Sequence, residues 1–335
     1  MNIIIPMAGM GKRMRPHTLT TAKPLIPIAG KPVVQRLIED IISTCNQKVE
    51  NIAFITNPLF GEATEKLLLT IADSLGAKGH ICYQNEALGT AHAILCAKEL
   101  LKDNVFIAFA DTLFKAVFTI DANKDAIIWT QKVEDPSAFG VVKLDNEGRI
   151  TEFVEKPTEF VSDLAIIGVY YFKDGQNLRN ELEYLIDNDI KTKGEYQLTD
   201  AMENMRNKNI TFYCDQVEEW LDCGNKDATV FTNQRILEIK KDTENLISTS
   251  AKIENSTIVA PCYIGEGVLI KNSVIGPHVS LEKDVIVENS ILSNSIVQEG
   301  AKLKSVHLDN SLLGKYVNYE GKPQAISLGD YSLLF

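Results

Sequence analysis

From the start of the chain to about position 225, short apolar runs rich in β-branched side chains alternate with stretches whose apolar positions recur every three or four residues. Ile3 to Pro6, Ile52 to Thr56, Ile81 to Gln84 and Val105 to Asp111 have the length and composition of buried strands. Between them, Val33-Val34-Leu37-Ile38-Ile41-Ile42, Ala63-Leu67-Ile71, and Ala91-Leu95 with Leu100 and Leu101 behind, repeat at helical spacing. Strand and helix in alternation predict an α/β domain, a mostly parallel sheet covered by helices on both faces. Ligands bind such sheets at the carboxyl ends of the strands, so charged or glycine-rich segments just after a strand are where chemistry is expected.

A polar stretch at 227–245 reads as a connecting helix, and beyond it the pattern changes. Ile253-Glu254-Asn255-Ser256, Ile270-Lys271-Asn272-Ser273 and Val287-Glu288-Asn289-Ser290 recur at a constant interval. Leu303-Lys304-Ser305 and Leu308-Asp309-Asn310-Ser311 follow less regularly. β-forming apolar residues every five or six positions, with Gly and Asn between, predict a short parallel β-helix of hexapeptide type, one triangular coil per interval. Three or four coils lie near the minimum that buries a continuous core. The expected division is therefore 1–245 and 246–335, with residues 321–335 fitting neither pattern and expected to cap or dock.

Composition narrows the function classes. The formal net charge of −11 argues against nucleic acid or an anionic membrane as partner. No apolar run reaches the roughly 20 residues of a bilayer span. The start of the chain lacks the pattern of a secretory signal. The six cysteines are scattered without a Cys-x-x-Cys pair, which is economically read as a reduced, cytoplasmic setting.

Against that acidic background, the segment from Met1 to Ile38 holds Lys12, Arg13, Arg15, Lys23, Lys31 and Arg36 and no acid. Ala8-Gly9-Met10-Gly11-Lys12-Arg13-Met14 follows the first strand directly. Gly-x-Gly lets the backbone turn tightly and offer amide N–H groups to an anion, and Arg forks onto phosphate oxygens. A dinucleotide fingerprint would need a third glycine where Met14 stands, and the spacing of a P-loop is absent. Taken alone, the segment is also compatible with an ordinary strand-to-helix turn carrying solvated charges.

The company the loop keeps changes that balance. Lys23-Pro24-Leu25, Gln84 with Leu88-Gly89-Thr90-Ala91, Ala110-Asp111, Phe139-Gly140-Val141-Val142, Glu155-Lys156-Pro157, Gly194-Glu195-Tyr196-Gln197-Leu198-Thr199-Asp200 and Trp220-Leu221-Asp222-Cys223-Gly224 follow it in order. In this order the chain resembles the sugar-1-phosphate nucleotidyltransferases, with glucose-1-phosphate thymidylyltransferases as the nearest pattern. It departs from the pattern in having Ala110-Asp111-Thr112 for the common Gly-Asp-Asn, Lys12 for a frequent Thr, and Ala8-Gly9 for Gly-Gly.

The resemblance implies a Rossmann-like nucleotidyltransferase domain followed by a left-handed β-helix. It also implies transfer of a nucleotidyl group from an NTP to a sugar 1-phosphate, with Mg²⁺. Arg13 and Lys23 would neutralise phosphate charge, and Asp111 and Asp222 would hold the metal. Ala8, Gly9, Gly11, Lys12, Arg13, Gln84, Gly89 and Thr90 would bind the nucleotide, Gln84 and Gly89 reading the base. Gly140, Glu155, Lys156 and Glu195 would bind the sugar phosphate, while His92 reads as a packing residue. Features of the thymidylyl-, uridylyl- and guanylyltransferases are mixed: dTTP or UTP with glucose 1-phosphate is favoured, and a mannose-1-phosphate guanylyltransferase or an N-acetylglucosamine-1-phosphate uridylyltransferase is the alternative within the family. Outside it, a bifunctional protein with an acetyl-transferring β-helix and a non-catalytic sugar-nucleotide sensor or assembly subunit are further alternatives. A homo-oligomer is expected, through the flat sides of the β-helix or through the catalytic domain.

Overall fold

In a computed structural model, the protein is described at residues 1–45, 47–116, 120, 121, 123–322 and 327. It divides into two compact units, residues 1–26 with 31–229, and residues 27–30 with 230–335.

The first unit is built on a nine-stranded mixed sheet. Its strands are β1 (Asn2–Pro6), β2 (Asn51–Thr56), β3 (Lys78–Tyr83), β4 (Val105–Ala108), β6 (Ala126–Lys132), β7 (Gly140–Leu144), β8 (Ile150–Glu155), β9 (Leu164–Phe172) and β10 (Phe212–Gln216). A separate antiparallel pair joins β5 (Thr112–Lys115) to β11 (Glu219–Asp222). The main order is β8-β7-β9-β4-β1-β2-β3, with β6 pairing β9 and β10. β1 runs parallel to both neighbours and is buried along its whole length, as its unbroken Ile3-Ile4-Ile5 run requires.

β9 is the hub that sequence periodicity did not reveal. It pairs antiparallel with β4 through Val169–Phe172, meets β7 at Ala165, and borders β6 with a register shift between Ile166 and Tyr170. Gly168 lies in that shift at φ 84°, and its carbonyl accepts the Phe109 N–H at 2.9 Å. Helices α1 (Val33–Thr44), α2 (Gly61–Ser74), α3 (Thr90–Leu95), α4 (Gly175–Asp187) and α5 (Leu198–Asn207) complete this unit. The helix after β11 spans Lys226–Lys240 and stops short of the expected 245.

The second unit carries the expected β-helix, three parallel sheets of five, four and four strands. Ile253, Ile270, Val287, Leu303 and Tyr319 stack in register along one sheet; Ile258, Ile275, Leu292 and Leu308 stack along the next. Ile270, Ile275, Leu281, Val287, Leu292 and Val297 are fully buried and form its core. The repeat is 17 residues early and 16 later, seen in the bonds Ser273 Oγ to Ser290 N–H and Ser290 Oγ to Val306 N–H. The lost residue comes from one corner: Gly276-Pro277-His278-Val279 in one coil corresponds to the shorter turn around Asn294 in the next. Corners at Asn255, Asn272, Asn289, Asn294 and Asn310 have positive φ, a conformation that Asn tolerates better than most residues. The short segment 27–30 belongs to this unit, with the Ala29 N–H donating to Asn233 Oδ1 at 2.9 Å and the Gly30 N–H to Glu282 Oε1 at 3.2 Å. The capping stretch expected at 321–335 lies almost wholly outside the described residues. No helix among the described residues is long and apolar enough to cross a membrane.

Candidate active site

Two adjoining pockets open in the first unit at the carboxyl edge of the sheet, with volumes of about 580 and 250 Å³. The larger is lined by the loop after β1, from Met7 to Arg13, together with Lys23, Gln84, Gly89, Thr90, Asp111 and Glu195. The smaller is lined by Gly140, Glu155, Gln197, Thr199, Trp220 and Asp222. Arg13, Thr90, Phe109 and Asp111 line both.

Local structure explains the placement. Gly11 takes φ 57°, and a Cβ there would stand 3.0 Å from Lys23 Cβ, so the loop and the Lys23 segment can approach only over a glycine. Lys12-Arg13-Met14 then form one 3₁₀ turn that buries Met14 and leaves Lys12 and Arg13 exposed. Lys23 is 9% exposed and its Nζ lies 2.7 Å from Asp111 Oδ2. Asp111 sits in the turn between β4 and β5, beyond the strand end that the sequence suggested. Its carbonyl accepts the Cys223 N–H at 2.9 Å, which ties the two acidic motifs together.

Burial, and after it the charge of Asp111, push the Asp222 carboxyl above the usual carboxylate range; the Gly224 N–H, Lys23 and Arg13 oppose that shift. A Cβ on Gly224 would stand 2.6 Å from Asp222 Oδ2, so that position has no room for a side chain without moving the carboxylate. Two neighbouring carboxylates offer hard oxygen donors, and no group of three or more His, Cys, Asp or Glu suited to a metal occurs among the described residues. That donor set fits Mg²⁺, which keeps waters and takes substrate phosphate oxygens beside one or two carboxylates.

The structure joins two motifs that the sequence left apart. The Leu88 carbonyl accepts the Tyr196 N–H, and the Tyr196 carbonyl accepts the Ala91 N–H, both at 2.9 Å. Gly89, at φ 118°, lies so close that a Cβ would stand 2.4 Å from the Tyr196 carbonyl oxygen. Thr90 Oγ1 donates to Gln197 Oε1 at 3.3 Å and accepts the Leu198 N–H at 2.9 Å, capping α5. In the smaller pocket Thr199 Oγ1 donates to Glu155 Oε2 at 3.1 Å. Tyr196, Gln197 and Thr199 are thus framework residues to which the sequence assigned no individual roles. Lys156 lines neither pocket. It stands at φ 43° with its Nζ 3.5 Å from Glu155 Oε1, and its carbonyl accepts from Lys193 Nζ.

An anion-ready loop after the first strand, cations and paired carboxylates at the sheet edge, and two pockets with a shared wall define a nucleotide-handling α/β protein. The sequence pattern described as "Nucleotidyl transferase" matches residues 2–239, and the chain belongs to that family. Members bind an NTP and a sugar 1-phosphate and generally use a divalent metal. The chain is 28% identical to the glucose-1-phosphate thymidylyltransferase of Streptomyces griseus, over 99% of this chain and 98% of that one. It is 30% identical to the mannose-1-phosphate guanylyltransferase catalytic subunit beta of Drosophila pseudoobscura pseudoobscura, over 95% and 86%. Its fold is shared with a UDP-glucose pyrophosphorylase solved with UDP-glucose, at TM-score 0.58 and 24% identity, over 71% of this chain and 98% of that one.

Proposed function

We propose that this cytoplasmic enzyme transfers a nucleotidyl group from dTTP or UTP to glucose 1-phosphate, with residues 1–245 as its catalytic domain. The observation that carries the reading is the shared wall: one pocket suits a nucleotide, the other a sugar phosphate, and Arg13 and Asp111 line both. The substrate pair is supported by the thymidylyltransferase relative, which aligns over nearly its whole length.

A phosphate oxygen of the sugar 1-phosphate attacks the α-phosphorus as the bond to the β-phosphate oxygen breaks and pyrophosphate leaves. The nucleophile is already anionic, so the work is in-line positioning and charge neutralisation rather than proton abstraction. Backbone N–H groups from Ala8 to Gly11, with Lys12 and Arg13, receive the β- and γ-phosphates. Lys23 is held within reach of the α-phosphate by Asp111. Asp111 and Asp222 would hold Mg²⁺, which when bound offsets the negative charge of the phosphates. Gln84 and Gly89 take the base, while Gly140 and Glu155 take the sugar; Glu195, which the resemblance implies for the sugar, lines the larger pocket and would reach the sugar only from that side. The role implied for Lys156 requires its Nζ to leave Glu155 and turn inward.

The test is pyrophosphate release with Mg²⁺, across four triphosphates crossed with glucose-, mannose-, galactose- and N-acetylglucosamine-1-phosphate. One strong pair that collapses in Asp111→Asn and Asp222→Asn supports the reading, and silence across the grid overturns it. Self-association through the flat faces of the β-helix belongs to the same proposal, and light scattering of the full chain would show a monomer if it is wrong.

A further inference from the structure

At the base end of the larger pocket, a side-chain amide has its orientation fixed by its neighbours. Gln84 follows β3 directly and is 8% exposed. Its Nε2 donates to the Gly89 carbonyl at 3.2 Å. A carbonyl only accepts, so the amide must turn its NH₂ group to that side. The same Nε2 lies 3.1 Å from His92 Nδ1, on the first turn of α3. An N–H pointing at Nδ1 needs a lone pair there, so the ring carries its proton on Nε2. Partial burial lowers the His92 pKa, with Glu86 opposing, which favours the neutral ring at pH 7. Both amide hydrogens are then used. Oε1 has no hydrogen-bond partner among the described residues, although the side chain is nine-tenths buried and lines the pocket.

We infer that His92 is a positioning residue that locks the Gln84 amide with its oxygen toward the pocket, so that the site selects bases whose ring edge carries an N–H. Uracil and thymine at N3, and guanine at N1, present that donor. Cytosine N3 and adenine N1 are acceptors and would face Oε1 lone pair to lone pair. The inference rests on the nucleotide reading of this pocket and adds the residue that sets its polarity. His92 therefore has a role that its apolar surroundings, Ala91, Ala93 and Ile94, do not suggest from sequence.

The experiment is calorimetric titration of the full chain with UTP, dTTP, GTP, CTP and ATP, repeated for His92→Leu and His92→Asn, alongside kcat and KM for the best substrate. The wild-type chain should bind its best N–H-bearing base about tenfold or more tightly than CTP or ATP. His92→Leu should lose about 3- to 10-fold of that preference, the worth of one hydrogen bond, and should raise KM while leaving kcat nearly unchanged. His92→Asn places an acceptor oxygen near the Nδ1 position and should restore both. Equal binding of CTP or ATP by the wild type overturns the inference, as does an unchanged preference in His92→Leu or an Asn variant that behaves like Leu. Should His92→Leu fail to fold, the wild-type preference and the Asn variant decide. Base preference without pyrophosphate release would retain the inference and remove the proposed reaction; release without preference would do the reverse.

Discussion

Charged groups are settled differently in the two units. In the β-helix, outward-facing charges meet partners one coil away: Lys271 with Glu254 at 3.5 Å, Lys283 with Glu266 at 3.4 Å, and Lys304 with Glu320 at 2.8 Å. Asn255, Asn272 and Asn289 pass a hydrogen bond from coil to coil in the same way. At the carboxyl edge of the α/β sheet, Lys12 and Arg13 hold no ion pair among the described residues, and Asp222 is pressed by the charge of Asp111. Repetition lets each coil satisfy the next. The sheet edge collects charges from separate loops and leaves part of their interaction for a ligand.

The sharpest way to break the comparison is to neutralise the two neighbouring carboxylates at that edge. Asp111→Asn or Asp222→Asn should lower pyrophosphate release by about 10²-fold or more, on the scale of losing one preorganised transition-state contact. Thermal melting should not fall in Asp222→Asn, whose carboxylate is disfavoured by burial and by Asp111, whereas Asp111→Asn also removes the partner of the buried Lys23 and should melt lower; a melting loss in Asp222→Asn that tracks activity would sink the distinction. Leu292→Ala in the β-helix should do the opposite. A fully buried Leu truncated in a stacked core costs about 2–5 kcal/mol of unfolding free energy, to be read by denaturant titration, with kcat within twofold of wild type. Gly89→Ala tests the seam within the α/β unit. Its φ of 118° and the crowding against Tyr196 predict a loss of about 1–3 kcal/mol together with a raised nucleotide KM. At the small end, Lys304→Ala removes an exposed pair and should leave the denaturation midpoint unchanged, as exposed pairs usually do.

Much of this was legible in sequence, where local pattern decides the outcome. Unbroken apolar runs marked β1, β2 and β4, and the recurrence from Ile253 to Ile270 to Val287 marked the coils. Leu303-Lys304-Ser305 looked irregular because one corner loses a residue, which shifts the period, and Leu308-Asp309-Asn310-Ser311 because it lies on the neighbouring sheet, in register with Leu292, and not in the series of Ile253, Ile270 and Val287. The central place of β9 was hidden because it depends on antiparallel partners far along the chain. Site loops were legible because strand ends meet ligands in this fold class. Which neighbour turns inward was not: Glu155 ends β8 against Thr199, and the next residue, Lys156, swings into a left-handed turn and away. The bonds of Thr90 with Gln197 and Leu198, and of Gln84 with His92, exist only once packing has set the loops side by side.

The fit of Gly89 against Tyr196, with Thr90 bonded to Gln197 and Leu198, also bears on how this enzyme can diversify. A loop 84–92 exchanged for that of a relative would arrive without the backbone it packs against, so residues 84–92 and 194–199 form a matched pair. Chimaeras that exchange both segments should keep their fold where chimaeras that exchange one lose it.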